Sequence, residues 1–186
     1  SVNYAAPSLE ALEAEMKRLG SLGVSVLQRA EVPTAAGRMT VVHMDTATEG
    51  KYVLGLVHGE APRPTVEAAA VPFPAKLSQY ALVVKSLDKV SAYWQKLGFP
   101  AMDVTHGALT DLVYRGQPGR FDQKLGWHRH GTVTWEWIEP PAGPTVYEDF
   151  LKAHGEGFHH FGLDVPDLDA ASGAWEARGV KIVQAG

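Results

Sequence analysis

Residues 79–99, QYALVVKSLDKVSAYWQKLGF, align without a gap on residues 160–180, HFGLDVPDLDAASGAWEARGV, at an offset of 81. A repeat constrains the fold strongly, because each copy must be a supersecondary unit that buries its apolar face against a neighbour. Both copies open on a short apolar strand and place Ser86 or Asp167 where a helix needs an N-cap oxygen. Leu87 or Leu168 follows, Trp94 or Trp175 comes next, and Gly98 or Gly179 ends the helix. Leu87, Val90, Trp94 and Leu97 in one copy, and Leu168, Ala171 and Trp175 in the other, recur at helical spacing. That spacing predicts one buried stripe per helix, with both tryptophans in the core.

The N-terminus offers a weaker third copy, in which Ser8-Leu9 matches Ser86-Leu87 and Gly20 matches Gly98 at an offset of 78. Strand candidates at Val24 to Glu31, Arg38 to Asp45 and Tyr52 to Val57 follow its helix, punctuated by Pro33, Gly37 and Gly50. The unit is therefore β-α-β-β-β, an α+β organisation. The middle copy is expected to continue with strands near Ala101 to Thr105, Leu109 to Arg115 and Thr132 to Ile138. An extra strand is expected around Phe121 to Trp127. The last copy stops after Val180 to Gln184. This reading divides the chain into a module at 1–60, a Pro-rich linker at 61–75, a module at 76–150 and a partial module at 155–186. Residues 145–157, TVYEDFLKAHGEG, read as a short helix between the last two. Neither end carries a polar tail, which suggests a piece of a longer gene product or a rearranged one. An unfinished sheet exposes backbone edge groups. Strands of 38–58, from this chain or from a second copy in a strand-exchanged homodimer, are expected to complete the third module.

Composition narrows the chemistry. With 186 residues, 45 % of them hydrophobic, the chain can bury a core. A net charge of −4 without basic runs predicts no nucleic-acid or membrane-surface partner and leaves small polar substrates open. The absence of cysteine excludes disulfides, thiolate ligands and a cysteine nucleophile. No apolar run reaches the ~18 to 20 residues of a membrane span, and the N-terminal segment is unlike a signal peptide, so a cytoplasmic setting is expected. No Gly-rich phosphate loop or nucleophile elbow is present.

The stretch TWEWIEPPAGPTVYEDFLKAHGEGFHHFGLDVPDLDAA, with its Glu-x-x-x-Pro strand end, short helix, His-His pair and Asp-capped helix, carries a family resemblance. From Lys76 to Gly186 the chain resembles glyoxalase-like proteins related to methylmalonyl-CoA epimerase, in the vicinal oxygen chelate superfamily. The first 60 residues resemble a second module of that kind. The resemblance implies that βαβββ modules pair into a curved open sheet, with a divalent metal in the concave cleft. Ligands are implied from the first and last strands of each module, which fall here on Gln79, Glu136 and His160. A fourth would come from the end of the third module. Should the N-terminal copy supply it, the matching position is about Gly55, which has no side chain.

A mixed set of amide oxygen, carboxylate and imidazole suits Mn, Fe, Co, Ni or Zn better than a soft copper site. Lewis-acid stabilisation of an enediolate, formed by proton abstraction beside a carbonyl, would then make the protein a lyase or isomerase of a small carbonyl compound or thioester. Glu136 is the first candidate for the base, with His128 or His130 approaching from the preceding strand. The bland alternative for Glu136 is an exposed carboxylate, although its parity sets it on the opposite face from Trp135 and Trp137. For Gln79 the alternative is a backbone contact, and for His160 an ordinary surface or core histidine. Trp127, His128, Arg129 and His130 form either an amphipathic strand tip or a substrate-binding strand, with Arg129 facing a carboxylate or phosphate. His43 and His58 are expected to face solvent or a partner. A metal-free binding protein of the bleomycin-resistance type is the second reading. A ring-cleaving dioxygenase is the third, because Gln79 stands where such a site needs a second histidine.

Overall fold

The computed structural model describes residues 1–60, 73–108, 111–119, 122–131, 133–141 and 143–186. Most of the Pro-rich linker, 61–72, lies outside the described residues. The chain divides into two compact units, Ser1–Glu67 with Ala92–Phe99, and Ala68–Ser91 with Pro100–Gly186. No described helix is long and apolar enough to cross a membrane.

In the first unit β1 (Val2–Ala5), α1 (Leu9–Ser21), β2 (Val26–Thr34), β3 (Gly37–Met44), the short α2 (Ala47–Gly50) and β4 (Leu54–His58) follow in order. Ser8 caps α1 by accepting a hydrogen bond from the Ala11 amide at 3.0 Å. The helix runs past Gly20, where an end was expected, to Ser21, with Leu22 as its C-cap. The residue that adopts the left-handed conformation after it is Gly23, at φ +89°. The sheet order is β1-β4-β3-β2, with β1 parallel to β4 and the other neighbours antiparallel. Both edges of β3 and both edges of β4 are therefore occupied within this sheet. Asn3 pairs with Gly55, and a side chain at Gly55 would fall on the Asn3 amide. Trp94 lies in this unit's core, stacked on Tyr52 at 4.4 Å between centroids and donating from Nε1 to the Gly50 carbonyl at 3.1 Å.

The second unit begins with β5 (Lys76–Val83) and α3 (Leu87–Lys96), whose residues from Ala92 onward belong to the first unit. The Glu139 carboxylate accepts from the Leu87 amide at 2.7 Å, and Ser86 accepts more weakly from Lys89 at 3.4 Å. There follow β6 (Asp103–Ala108), β7 (Val113–Tyr114), β8 (Gln117–Pro118), β9 (Asp122–His130), β10 (Val133–Glu139), α4 (Val146–His154), β11 (Gly157–Asp164), α5 (Leu168–Glu176) and β12 (Gln184–Ala185). Five strands form one sheet in the order β11-β5-β10-β9-β6, and β12-β7-β8 form a small second one.

Three expectations change here. Of the segment expected as a strand at Leu109 to Arg115, the described residues 111–115 do not join the main sheet, and 109–110 lie outside the described residues. Its described part folds into the β7-β8 hairpin, because Arg115 and Gly116 both take positive φ at the turn. The main sheet uses β9 instead, which runs antiparallel to β10 across the Gly131 turn. The last strand is not Val180 to Gln184. Only Gln184 and Ala185 pair, and they pair with β7. Trp175 is 38 % exposed rather than in the core, meeting Phe73 edge-on at 6.0 Å. Helix α5 buries only Ala171, since β11 is the edge strand and no described strand extends the layer beyond it.

Candidate active site

The 81-residue repeat becomes a local two-fold in the β5–β11 ladder. Gln79 pairs with Gly162 and Ala81 with His160, and exchanging equivalent residues of the two copies turns one pair into the other. Beside it, β10 pairs Glu136 with Ala81 and Thr134 with Gln79. Residues paired across strands share a face, as do residues two apart along a strand. Gln79, Glu136 and His160 thus project from one side of the sheet, around the small residues Ala81 and Gly162. A Cβ on Gly162 would lie 2.5 Å from the Gln79 Cβ and 2.8 Å from its Oε1, so glycine there leaves room for the glutamine.

These three side chains meet. The Gln79 Nε2 donates a short hydrogen bond to Glu136 Oε2, and the same carboxylate oxygen lies 3.8 Å from His160 Nε2. Glu136 is only 7 % exposed, which removes the reading of it as a solvent carboxylate. Burial pushes its pKa up to about 7, with the Gln79 hydrogen bond opposing. Burial first, and the neighbouring His159 second, bring His160 down to about 4, so the imidazole is neutral at neutral pH.

The cover over this face comes from α4, capped by Thr145, with Tyr147, Phe150 and Leu151 packed on Ala81, Val83 and Ile138. The Tyr147 hydroxyl is raised to about 12, first by burial and then by the Glu136 charge, against a hydrogen bond with Gln184. Gln184, from β12, also accepts from the Val146 amide at 3.3 Å. Alternation along a strand would send His159 to the opposite face from His160. A register shift between Phe158 and His160 instead brings both rings beside Tyr147, at 5.1 and 6.3 Å between centroids. Tyr147, His159 and Gln184 are therefore site residues that sequence reasoning missed. The only signal was the apolar face of the 146–154 helix, since a bulge leaves no mark on periodicity.

The four residues of the β9 tip divide between faces. Trp127 pairs with Glu136 and Arg129 with Thr134, on the side of the candidate site. His128 and His130 point the other way: His128 lies 2.9 Å from the Pro100 carbonyl, and His130 meets the Trp135 ring at 5.4 Å. Burial lowers the pKa of both histidines.

Among the described residues no group of three His, Cys, Asp or Glu side chains is placed to hold a metal ion. Two such groups and one amide do stand together. A buried carboxylate that no described Lys or Arg pairs with and a neutral imidazole are donors suited to a first-row divalent ion, and the Gln79 carbonyl oxygen can serve as a third after an amide flip. The donor chemistry fits a partial metal site.

A βαβββ unit whose first strand is joined by local symmetry to the first strand of another copy is a paired-module architecture. The chain belongs to the Glyoxalase/Bleomycin resistance protein/Dioxygenase superfamily, whose family model matches residues 78–186. A mutant of 4-hydroxymandelate synthase from Streptomyces coelicolor is similar over 96 % of this chain and 53 % of its own, at 18 % identity and a TM-score of 0.62. The Mn(II)-bound glyoxalase from Novosphingobium aromaticivorans is similar over 97 % and 52 %, at 14 % identity and a TM-score of 0.52. Methylmalonyl-CoA epimerase from Mycobacterium tuberculosis matches over 56 % and 65 %, at 19 % identity and a TM-score of 0.39. The chain spans about half the length of the first two. No curated protein matches it.

Proposed function

We propose that the Gln79–Glu136–His160 cluster belongs to a divalent-metal-dependent lyase or isomerase that moves a proton beside the carbonyl of a small carbonyl compound or thioester. The observation that carries this reading is a nearly buried carboxylate held against an amide and 3.8 Å from an imidazole under an apolar cover, where burial pushes the carboxyl pKa up to about 7. Gln79, Glu136 and His160 would hold the ion, which when bound supplies Lewis-acid stabilisation of developing oxyanion charge. Glu136 is the proposed base, as the buried carboxylate of this cluster; its pKa of about 7 belongs to the metal-free site, and a bound cation would lower it. In the metal-free site the Gln79 amide holds one oxygen of this carboxylate, a contact that an amide flip toward an ion would give up. The Tyr147 hydroxyl, on helix α4 near Glu136 and hydrogen-bonded to Gln184, would supply a further polar group. Arg129 and Trp127, on the same sheet face, would take an anionic group and an apolar portion of the substrate, Arg129 through its forked guanidinium. His128 and His130 have no part in this scheme.

A second reading, a metal-free binding protein of the bleomycin-resistance type, is favoured by one observation. The third corner of the donor set is an amide already bonded to the carboxylate. Metal analysis and divalent-ion titration of the protein, with Glu136→Ala and His160→Ala variants, separate the two. The enzyme reading expects about one ion per chain, lost in both variants, and metal-dependent exchange of solvent deuterium beside the carbonyl in a panel of small 2-hydroxy carbonyls and thioesters. A protein that takes up no ion at any concentration sinks the metal-dependent reading.

A further inference from the structure

We infer that the substrate is a small carbonyl compound bearing one carboxylate and a planar unsaturated group, with Arg129 taking the carboxylate and Trp127, held by Thr105, the planar part. The inference rests on the proposed site and chooses between its two substrate classes, a small carbonyl compound and a thioester. Three rows of paired residues cross this face of the sheet. Val83, Ile138 and Leu125 form the first, Ala81, Glu136 and Trp127 the second, and Gln79, Thr134 and Arg129 the third. Helix α4 packs its apolar side chains on Val83 and Ile138 of the first row and on Ala81 of the second. Beyond that packing lie Trp127, half-buried beside Glu136, and Arg129, exposed.

The Trp127 indole is fixed in place, because its Nε1 donates to Thr105 Oγ1 on β6 at 2.8 Å. A ring so held presents a flat apolar surface that loses little freedom when a planar group stacks on it. Thr105 acts through the indole and is a positioning residue. Among the described arginines, Arg18, Arg29, Arg38, Arg115 and Arg178 each hydrogen-bond or ion-pair within the protein, whereas Arg129 makes no such contact. Its forked guanidinium is therefore free to take a carboxylate through two parallel bonds. Diagonal neighbours across a ladder stand about 7 to 8 Å apart. Arg129 and Glu136 are such a pair, so a molecule a few bonds long reaches from one to the other. Charge then separates the two classes. Among the described strand residues of this face Arg129 is the one lysine or arginine, and Asp103, paired with Trp127, adds a negative charge. A thioester of coenzyme A brings several phosphate charges, which one guanidinium beside an aspartate does not balance.

Calorimetric titration of the metal-free protein with four probes tests this. Phenylglyoxylate carries the carbonyl, the carboxylate and the ring, its methyl ester lacks the charge, pyruvate lacks the ring, and propionyl-CoA is the thioester. The native protein should bind phenylglyoxylate about 10-fold or more tightly than the ester. It should prefer it to pyruvate by about 3 to 10-fold, and bind propionyl-CoA most weakly. Arg129→Gln should abolish the preference for acid over ester and keep the preference for the ring. Thr105→Val, which keeps the branched shape but cannot accept from the indole, should do the reverse, and Thr105→Ser should restore the native pattern. Both positions are exposed, and the native ratios alone decide the matter if a variant fails to fold. Tighter binding of propionyl-CoA, no binding of any probe, an acid-to-ester ratio unmoved in Arg129→Gln or a ring preference unmoved in Thr105→Val overturns the inference. The expected selectivity in a protein that takes up no divalent ion supports it and sinks the metal reading instead, whereas ion uptake without that selectivity sinks the inference alone.

Discussion

Glu136→Gln should make the metal-free protein more stable, and only at high pH. Glutamine is isosteric with glutamate and its Oε1 can still accept from Gln79, so the substitution removes charge with little change of shape. In the folded chain the carboxyl titrates at about 7, against an ordinary 4.5. The folded state therefore holds the proton more tightly than the unfolded one, and stability falls as pH rises from about 4.5 through about 7. With about 1.36 kcal/mol per pKa unit, that loss amounts to about 3 kcal/mol above pH 7. Solvent screening reduces it little, because the side chain is only 9 % exposed. Urea unfolding in the presence of a chelator, at about pH 8 and about pH 4, measures it. The variant should gain up to about 3 kcal/mol at the higher pH and almost nothing at the lower, where both side chains are neutral. A loss of stability at pH 8, or an equal gain at both values, would show that the carboxylate is compensated in the fold and refute its assignment as a strained functional group.

His160 should act in the opposite direction. Its pKa is lowered from 6.5 to about 4, so native stability should fall as pH drops through that window. His160→Gln should flatten the acid limb measured by the same unfolding series, by less than the full conversion because a third of the side chain is exposed. Gly162→Ala should displace Gln79, whose Cβ and Oε1 stand in the way of the new methyl. The expected result is a stability loss of about 1 to 3 kcal/mol and a Glu136 pKa above that of the native chain, followed by carboxyl 13C titration. A variant with Glu136 unmoved would mean that Gln79 contributes nothing to its charge.

Much of this site was legible from local pattern. Strand parity separated Glu136 from its flanking tryptophans, and the repeat register matched Gln79 with His160 before any pairing was known. Both follow from a period of two along a strand and from a fixed offset, which are properties of the chain itself. The N-cap positions Ser8 and Asp167 were readable for the same reason, each acting within three residues of itself. Gly20 misled because a glycine permits a helix to end without requiring it.

What only the tertiary structure decided depends on partners distant in sequence. The choice of β9 over the 109–115 segment as the inner strand is a matter of which stretch can ladder along β10. The exposure of Trp175 follows from the position of β11 at the sheet edge. The bulge that brings His159 round beside His160 and the placement of Tyr147 over Glu136 arise from pairing and packing that no periodicity records. Above all, the chain determined that a glutamate, a histidine and a glutamine would share a face. Their chemistry came from burial, since a carboxylate reaches a pKa of about 7 only where the fold has removed the water around it.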